Sequence, residues 1–136
     1  MAAIVGIAHV ELSVSDMERS AGWYNALLGS HEVFRGVNEE RGFQAIAILE
    51  PASRLVLAIT QHKTADGPFR PQRVGLDHLS FRAADKAAID GWIAKLDELG
   101  VAHDGIDDQE FQWAITFRDP DDIALEIIAR KPPPAA

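Results

Sequence analysis

The chain has 136 residues, with 13 basic and 21 acidic side chains and no cysteine. Its formal charge of −8 disfavours binding to nucleic acid or to an anionic membrane, and the lack of cysteine excludes disulfides and thiolate metal sites. No basic flank leads into an apolar run at the N-terminus, and no segment approaches about 20 apolar residues, so we expect a cytoplasmic protein without a membrane span.

In chain order, the first predicted element is a strand over residues 4–14, in which apolar and polar side chains alternate. A strand has a side-chain period of two, so the polar members share one face and an apolar row forms the other. The polar face carries His9, Glu11 and Ser13.

A helix follows, beginning at Ser15 or Asp16, either of which can cap its first turn, and ending at Gly29. Three strand segments come next: a short one near residues 33–36 and a hairpin formed by residues 43–49 and 55–61. The helix residues expected to pack on the sheet are Met17, Ala21, Tyr24 and Leu28.

The same plan then returns, because residues 5–9 (VGIAH) are echoed 69 positions later by residues 74–78 (VGLDH). An internal repeat indicates that the fold contains copies of one structural unit. The second copy is predicted to contain a strand over 74–83, a helix from about Asp85 to Leu99 with Ile89, Ile93 and Leu96 facing inward, a short strand near Val101, and a final strand pair over 111–117 and 123–129.

One copy alone is too small to bury a stable hydrophobic core. Two copies related by a pseudo-twofold axis are large enough to do so. We therefore predict an α+β fold in which two tandem βαβββ modules form a curved open sheet around a cleft. The single domain spans residues 1–131, with module 1 at about 4–61, a linker at 62–73, module 2 at about 74–130, and a loose tail at 132–136.

Three side chains suggest a metal site. His9 and His78 match under the repeat, and Glu126 lies within the apolar run of residues 123–128, where a charge is unfavourable unless it is paired or bound to a cation. Two imidazoles and one carboxylate suit a divalent transition metal with open positions. Alternatively, each histidine is an ordinary hydrogen-bonded residue, and Glu126 faces water and pairs with Arg118.

The repeat also indicates how many ligands to expect. Glu126 maps onto Leu57, or onto Ala58 if the strand slips by one residue, and neither side chain binds a metal. Three protein ligands would leave about three positions of an octahedral ion for other ligands.

The chain resembles the vicinal oxygen chelate superfamily, which includes glyoxalases, extradiol dioxygenases, fosfomycin-resistance enzymes and bleomycin-binding proteins. The resemblance is carried by residues 7–16 (IAHVELSVSD), 77–81 (DHLSF) and 119–126 (DPDDIALE), and it covers all but the tail. It implies metal ligation by His9, His78 and Glu126. Thr116 stands about where the dioxygenases have a tyrosine.

The resemblance implies an enzyme that uses one divalent ion, Fe2+ or Mn2+ first and Ni2+ or Zn2+ as alternatives, to chelate two adjacent oxygens of a small substrate. The candidate acid–base residues are Glu11 and His62. The candidate substrate contacts are Ser80, Arg82, Thr116 and Arg118.

Three function classes remain open at this point. The three-ligand set favours a dioxygenase-like enzyme. The alternatives are a glyoxalase-like lyase or isomerase, or a fosfomycin-type thiol transferase, and further a metal-free drug-binding protein. We expect a homodimer, in which the two modules either stay within one chain or exchange between chains.

Overall fold

In the computed structural model, which describes residues 1–135, the chain divides into two compact units, Met1–Gly67 (unit 1) and the segment from Pro68 onward (unit 2). Each unit has the order strand, helix, three strands, which confirms the predicted α+β plan of two βαβββ modules. Ala136, the end of the predicted tail, lies outside the described residues. Within residues 1–135, no helix has the length and apolar character needed to cross a membrane.

Unit 1 is a four-stranded sheet with one helix. Its elements are β1 (Val10–Ser13), α1 (Met17–Leu28), β2 (His31–Asn38), β3 (Phe43–Glu50) and β4 (Leu55–His62). The strand order is β1-β4-β3-β2, with β1 parallel to β4 and the other neighbours antiparallel. The predicted hairpin is therefore β3 and β4, and the short strand expected near 33–36 is the eight-residue β2.

Unit 2 repeats this arrangement. Its elements are β5 (Leu79–Arg82), α2 (Lys86–Glu98), β6 (Asp107–Asp108), β7 (Gln112–Arg118) and β8 (Ala124–Arg130). The strand order is β5-β8-β7-β6, and β5 is parallel to β8. The short strand predicted near Val101 is reduced to an isolated antiparallel bridge between His103 and Phe117, and the two-residue strand that pairs with β7 is Asp107–Asp108, inside the expected polar loop.

The first strand of each unit is shorter than predicted. β1 pairs with β4 over Val10–Ser13, and β5 pairs with β8 over Leu79–Arg82. Alternation of side chains reports which residues face the core, whereas a strand also needs a hydrogen-bonded neighbour, and β1 and β5 each have one on a single side. His9 and His78 consequently lie immediately before their strands.

Local signals fix the ends of α1. Asp16 Oδ1 accepts a hydrogen bond from the Arg19 backbone N–H at 3.0 Å, and Gly29 adopts a left-handed φ of 66°. The predicted inward position Leu28 is only half-buried, whereas Leu27 is fully buried. The buried stripe is centred near Ser20 and Tyr24, and Leu27 lies closer to that line.

The core of each unit lies between its helix and one face of its sheet. In β4, Leu57 and Ile59 are buried against α1, and in β8, Leu125 and Ile127 are buried on the α2 side. Because side chains alternate along a strand, the residue between each pair must face away from the helix. This alternation places Glu126 on the helix-free face of the sheet of unit 2.

Candidate metal centre

Unit 2 brings two of the predicted metal ligands together. His78 Nε2 lies 3.8 Å from Glu126 Oε1. His78 precedes β5, and Glu126 lies on the parallel neighbour β8, directly opposite Ser80. The side chain of Glu126 is 17% exposed, so this carboxylate is partly withdrawn from water beside an imidazole that is 46% exposed.

Two neighbouring side chains orient this pair. Asp77 Oδ1 lies 2.7 Å from His78 Nδ1, and because a carboxylate only accepts, Nδ1 donates this hydrogen bond; in the neutral imidazole this leaves the lone pair on Nε2. Ser80 Oγ donates to Glu126 Oε1 at 2.8 Å. In metal sites, outer contacts of these two kinds hold the ligand imidazole and carboxylate in position.

An open pocket of about 580 Å³ adjoins the pair, and His78 and Glu126 are part of its lining. Thr116, which lies opposite Glu126 on β7, also lines it, as does Arg118. Arg118 Nη1 donates to the Asp122 carbonyl at 2.9 Å instead of meeting Glu126 across the hairpin.

The other two candidate substrate contacts lie off this pocket. Ser80 contacts Glu126, and Arg82 is an exposed residue at the end of β5, opposite Ile128. Their predicted contact with a substrate stays a prediction.

Unit 1 contains a matching pair. His9 Nε2 lies 3.9 Å from Glu11 Oε2, and Thr60 Oγ1 donates to Glu11 Oε1 at 2.5 Å. Thr60 is buried, whereas the Glu11 side chain is 46% exposed. An imidazole, a carboxylate and an orienting hydroxyl thus recur in both units.

The strand register resolves which residue corresponds to Glu126. Ser80 is opposite Glu126, and Glu11 is opposite Ala58. Ser80 and Glu11 match under the repeat, since 80 − 11 = 69, so the counterpart of Glu126 is Ala58 and not Leu57.

Within residues 1–135, no group of three or more histidine, aspartate or glutamate side chains lies close enough together to hold a metal ion. Each unit by itself supplies one imidazole and one carboxylate. Of the predicted set, the structure brings His78 and Glu126 together, and ligation of one ion by His9, His78 and Glu126 stays a prediction.

His62, the second candidate acid–base residue, lies at the end of β4. Its ring centroid is 5.5 Å from that of Phe43, and both residues line a cavity of about 280 Å³ in unit 1 together with Lys63. Its predicted catalytic role stays a prediction.

His103, to which sequence analysis assigns no function, lines the pocket of unit 2. Its Nε2 lies 2.8 Å from Asp97 Oδ1, and its Nδ1 accepts from the Gly105 backbone N–H at 3.0 Å. Since both ring nitrogens are engaged, His103 fastens the loop after α2 and has no nitrogen left for a substrate or a metal.

Comparison with known protein families supplies the identity of the fold. The family described as Glyoxalase/Bleomycin resistance protein/Dioxygenase superfamily matches residues 6–127. The chain belongs to this superfamily.

Sequence comparison finds two relatives in Bacillus subtilis (strain 168), both described as uncharacterized proteins. YqjT is 30% identical, over 89% of this chain and 96% of its own length. YwkD is 27% identical, over 89% of this chain and 94% of its own length.

Solved structures of the superfamily share the fold. A glyoxylase/bleomycin resistance protein/dioxygenase domain from Frankia sp. EAN1pec has a TM-score of 0.86 at 30% identity, covering 95% of this chain and 100% of that chain. The fosfomycin resistance protein FosX from Listeria monocytogenes, complexed with Mn(II) and sulfate, has a TM-score of 0.67 at 19% identity, covering 93% of each chain. The second likeness concerns the fold alone.

Proposed function

We propose that this superfamily member is a divalent-metal-dependent enzyme that binds a small substrate through two adjacent oxygens, with His9, His78 and Glu126 as metal ligands. The observation that carries the proposal is the pair formed by His78 and Glu126, 3.8 Å apart at the wall of an open pocket. Asp77 and Ser80 orient this pair in the way that outer residues orient metal ligands.

The donor set suits a divalent ion. Metal bonds of about 2.1 Å to nitrogen and oxygen place neighbouring ligand atoms of an octahedral ion about 3 Å apart, so a side-chain shift of under about 1 Å would bring His78 and Glu126 into position. Imidazole and carboxylate donors favour Fe2+ or Mn2+ first, with Ni2+ or Zn2+ as alternatives. FosX, which shares the fold, has been solved with Mn(II).

The bound ion would supply charge stabilisation at the two substrate oxygens. Thr116 presents a hydroxyl opposite Glu126, and Arg118 follows two residues later on the same strand face, about 7 Å along β7. Arg118 uses Nη1 on the Asp122 carbonyl, and its remaining N–H groups suit a carboxylate or phosphonate of the substrate. Ser80 and Arg82 are retained as further substrate contacts.

The acid–base roles remain part of the proposal. His62 lies beside Phe43 in the smaller cavity of unit 1. Glu11 Oε2 lies 3.9 Å from His9 Nε2, which is longer than a hydrogen bond, and the Glu11 carboxylate is the candidate proton acceptor for the substrate.

The number of open metal positions separates the reaction classes. Three protein ligands leave three positions of an octahedral ion, enough for two substrate oxygens and dioxygen, and this favours a dioxygenase-like reaction. A redox-neutral lyase, isomerase or thiol transferase needs only the two substrate positions. A drug-binding protein needs no oriented donor pair, so the contacts of Asp77 and Ser80 favour the enzyme. We further propose a cytoplasmic homodimer.

Metal analysis of protein purified without chelator tests the proposal. We expect about one divalent ion per chain, and a lower metal content in His9→Ala, His78→Ala and Glu126→Gln. His31→Ala is the matched control, because His31 is an exposed histidine at the start of β2, and it should leave the metal content unchanged. Wild-type protein that contains no metal and cannot be loaded would contradict the proposal. If metal is bound, oxygen uptake separates the dioxygenase-like class from the redox-neutral class.

A further inference from the structure

We infer that the helix-free face of the unit 1 sheet binds a single aromatic ring that has an O–H or N–H donor at its edge. The inference rests on the proposed function in one respect, because it assigns this ring to the substrate and so names the chemical class of the substrate. The contacts with the ring involve residues of unit 1 alone and no metal.

The strand register identifies the residues of this face. Leu57 and Ile59 are buried on the α1 side of the sheet, so the residues that alternate with them point to the opposite side. The register then places two rows of side chains across the four strands: Phe34, Ala47, Ala58 and Glu11 in one row, and Gly36, Ala45, Thr60 and Ser13 in the next. Phe34 and Glu11 therefore stand on the two edge strands, about 14 Å apart, with only alanine between them.

The centre of the face is a floor of small side chains between two phenylalanines. Its three half-buried alanines are Ala45, Ala47 and Ala58. The ring of Phe34 leans over Gly36, where an added Cβ would lie 2.9 Å from Phe34 Cζ, and it stays 63% exposed. Phe43, two residues before Ala45 on β3, borders the floor beside His62. Since a methyl group is much shorter than a phenyl group, the alanines form a shallow apolar depression that suits a flat ring.

The donor at the edge of the ring follows from Glu11. This residue lies opposite Ala58, at the β1 margin of the floor, and its side chain is 46% exposed. Thr60 Oγ1 is buried and donates to Glu11 Oε1 at 2.5 Å, which fixes the orientation of the carboxylate. A carboxylate only accepts hydrogen bonds, so the ligand group that complements it is an O–H or N–H donor and not an anion. A few polar groups at the margin of an apolar depression are typical of small-molecule sites.

The matching positions of unit 2 are polar, so the apolar face is a property of unit 1 and not of the shared fold. Since Ala58 corresponds to Glu126, their antiparallel partners Ala47 and Thr116 correspond as well, and 116 − 47 = 69. Two further positions at this offset differ in the same way: Leu49 against Arg118, and Phe43 against Gln112. Packing on the helices does not account for this difference, because these side chains lie on the faces away from them. A ligand with an apolar ring does account for it.

The experiment titrates the full chain with para-fluorophenol, before and after treatment with a chelator, and follows the probe by fluorine NMR. Two matched probes are fluorobenzene, which lacks the donor, and the saturated cyclohexanol analogue, which lacks the aromatic ring. We expect para-fluorophenol to bind most tightly of the three, and chelation to leave this binding in place.

Four variants locate the contact. Phe34→Ala should weaken para-fluorophenol binding about fivefold, the size of one aromatic pair, and Ala47→Leu, which fills the floor, at least about tenfold. Glu11→Gln replaces a charged acceptor with a neutral one, so it should weaken para-fluorophenol about fivefold and leave fluorobenzene unchanged. Val37→Ala is the matched control, because Val37 is an equally exposed apolar residue of β2 that pairs with Gln44 and so lies on the opposite face. Urea denaturation shows that each variant is folded, and Phe34→Ala, at an exposed position, keeps the test valid if Ala47→Leu is not.

Several results would overturn the inference. These are equal affinity for para-fluorophenol in wild type and Phe34→Ala, equally tight binding of the saturated analogue by wild type, and a loss in Val37→Ala, which would place the ring in the smaller cavity of unit 1. Absence of probe binding, with self-association of wild type that Phe34→Ala abolishes, would assign the face to a second copy of the chain. Ring binding in a chain that cannot be loaded with metal would remove the proposed function and leave this site, whereas metal loss in His78→Ala without any ring binding would do the reverse.

Discussion

Replacing Asp119 with alanine tests how the turn before β8 is held. Asp119 is 5% exposed, and its Oδ1 accepts from the backbone N–H groups of Asp121 at 2.8 Å and Ile123 at 2.9 Å. A hydrogen bond to a charged group contributes about 1.5–3 kcal/mol. The N–H of Asp121 can reach water once the acceptor is gone, but that of buried Ile123 cannot, so we expect unfolding to become easier by about 2–4 kcal/mol.

Urea denaturation monitored by circular dichroism measures this change in the free energy of unfolding. Asp119→Asn is the matched variant, because it keeps a neutral oxygen acceptor in the same place, and it should lose about half as much. A loss below about 0.5 kcal/mol in Asp119→Ala, the range of ordinary surface substitutions, would refute the reasoning. So would an Asp119→Asn protein as unstable as the alanine variant.

Three further predictions concern single side chains. Ser80→Ala removes the hydroxyl that orients Glu126 and should weaken metal binding about 10–100-fold by equilibrium dialysis, whereas Ser80→Thr should retain most of the affinity. Asp122 has a left-handed φ of 61°, so Asp122→Gly should raise the free energy of unfolding by up to about 1 kcal/mol, and Asp122→Ala should lower it. The pKa of Glu50 is held below its usual 4.5 by hydrogen bonds from the Ser53 hydroxyl and neighbouring backbone N–H groups. This stabilisation is full above pH 4.5 and is lost as the pH falls through the folded pKa, so the stability gap between wild type and Glu50→Gln, measured by urea denaturation, should shrink from pH 7 to pH 3.

The features that depend on residues close together in the sequence were predictable from the sequence. The cap at Asp16 and the helix end at Gly29 follow from the chemistry of single residues, and both occur as expected. Alternation also assigned the two faces of β1 correctly, since Leu12 is buried and Glu11 is not. The internal repeat also predicted that each module has one histidine at its first strand, because two copies of one sequence plan fold alike.

The features that depend on strand pairing were not predictable. The sequence left Leu57 and Ala58 open as counterparts of Glu126, and only the register of β1 with β4 decides between them. The starts of β1 and β5, at Val10 and Leu79, are likewise set by where a neighbouring strand is available. The alternation along one strand shows which side chains share a face, but it does not show which residue of a distant strand lies beside them.

The orienting contacts of the candidate site fall in the same category. Ser80 reaches Glu126, and Thr60 reaches Glu11, across strands that are far apart in the sequence. Asp77 was detectable in principle, because the repeat has Ala8 at the matching position and the difference marks a residue present in one copy only. The contact of Asp77 with His78 Nδ1 makes the two histidine positions chemically unequal.

The pairing of Glu11 with Ala58 affects how relatives of this chain should be compared. An alignment treats each sequence position as an independent column, and it would score position 58 as a lost donor and position 11 as unrelated to it. Two residues on one rung of a parallel ladder nevertheless point into the same volume. A carboxylate on the first strand of a module, in place of one on the last, would therefore serve the same volume although the sequence motif differs. A comparison that considers both residues of each strand pair together would still recognise such chains as related.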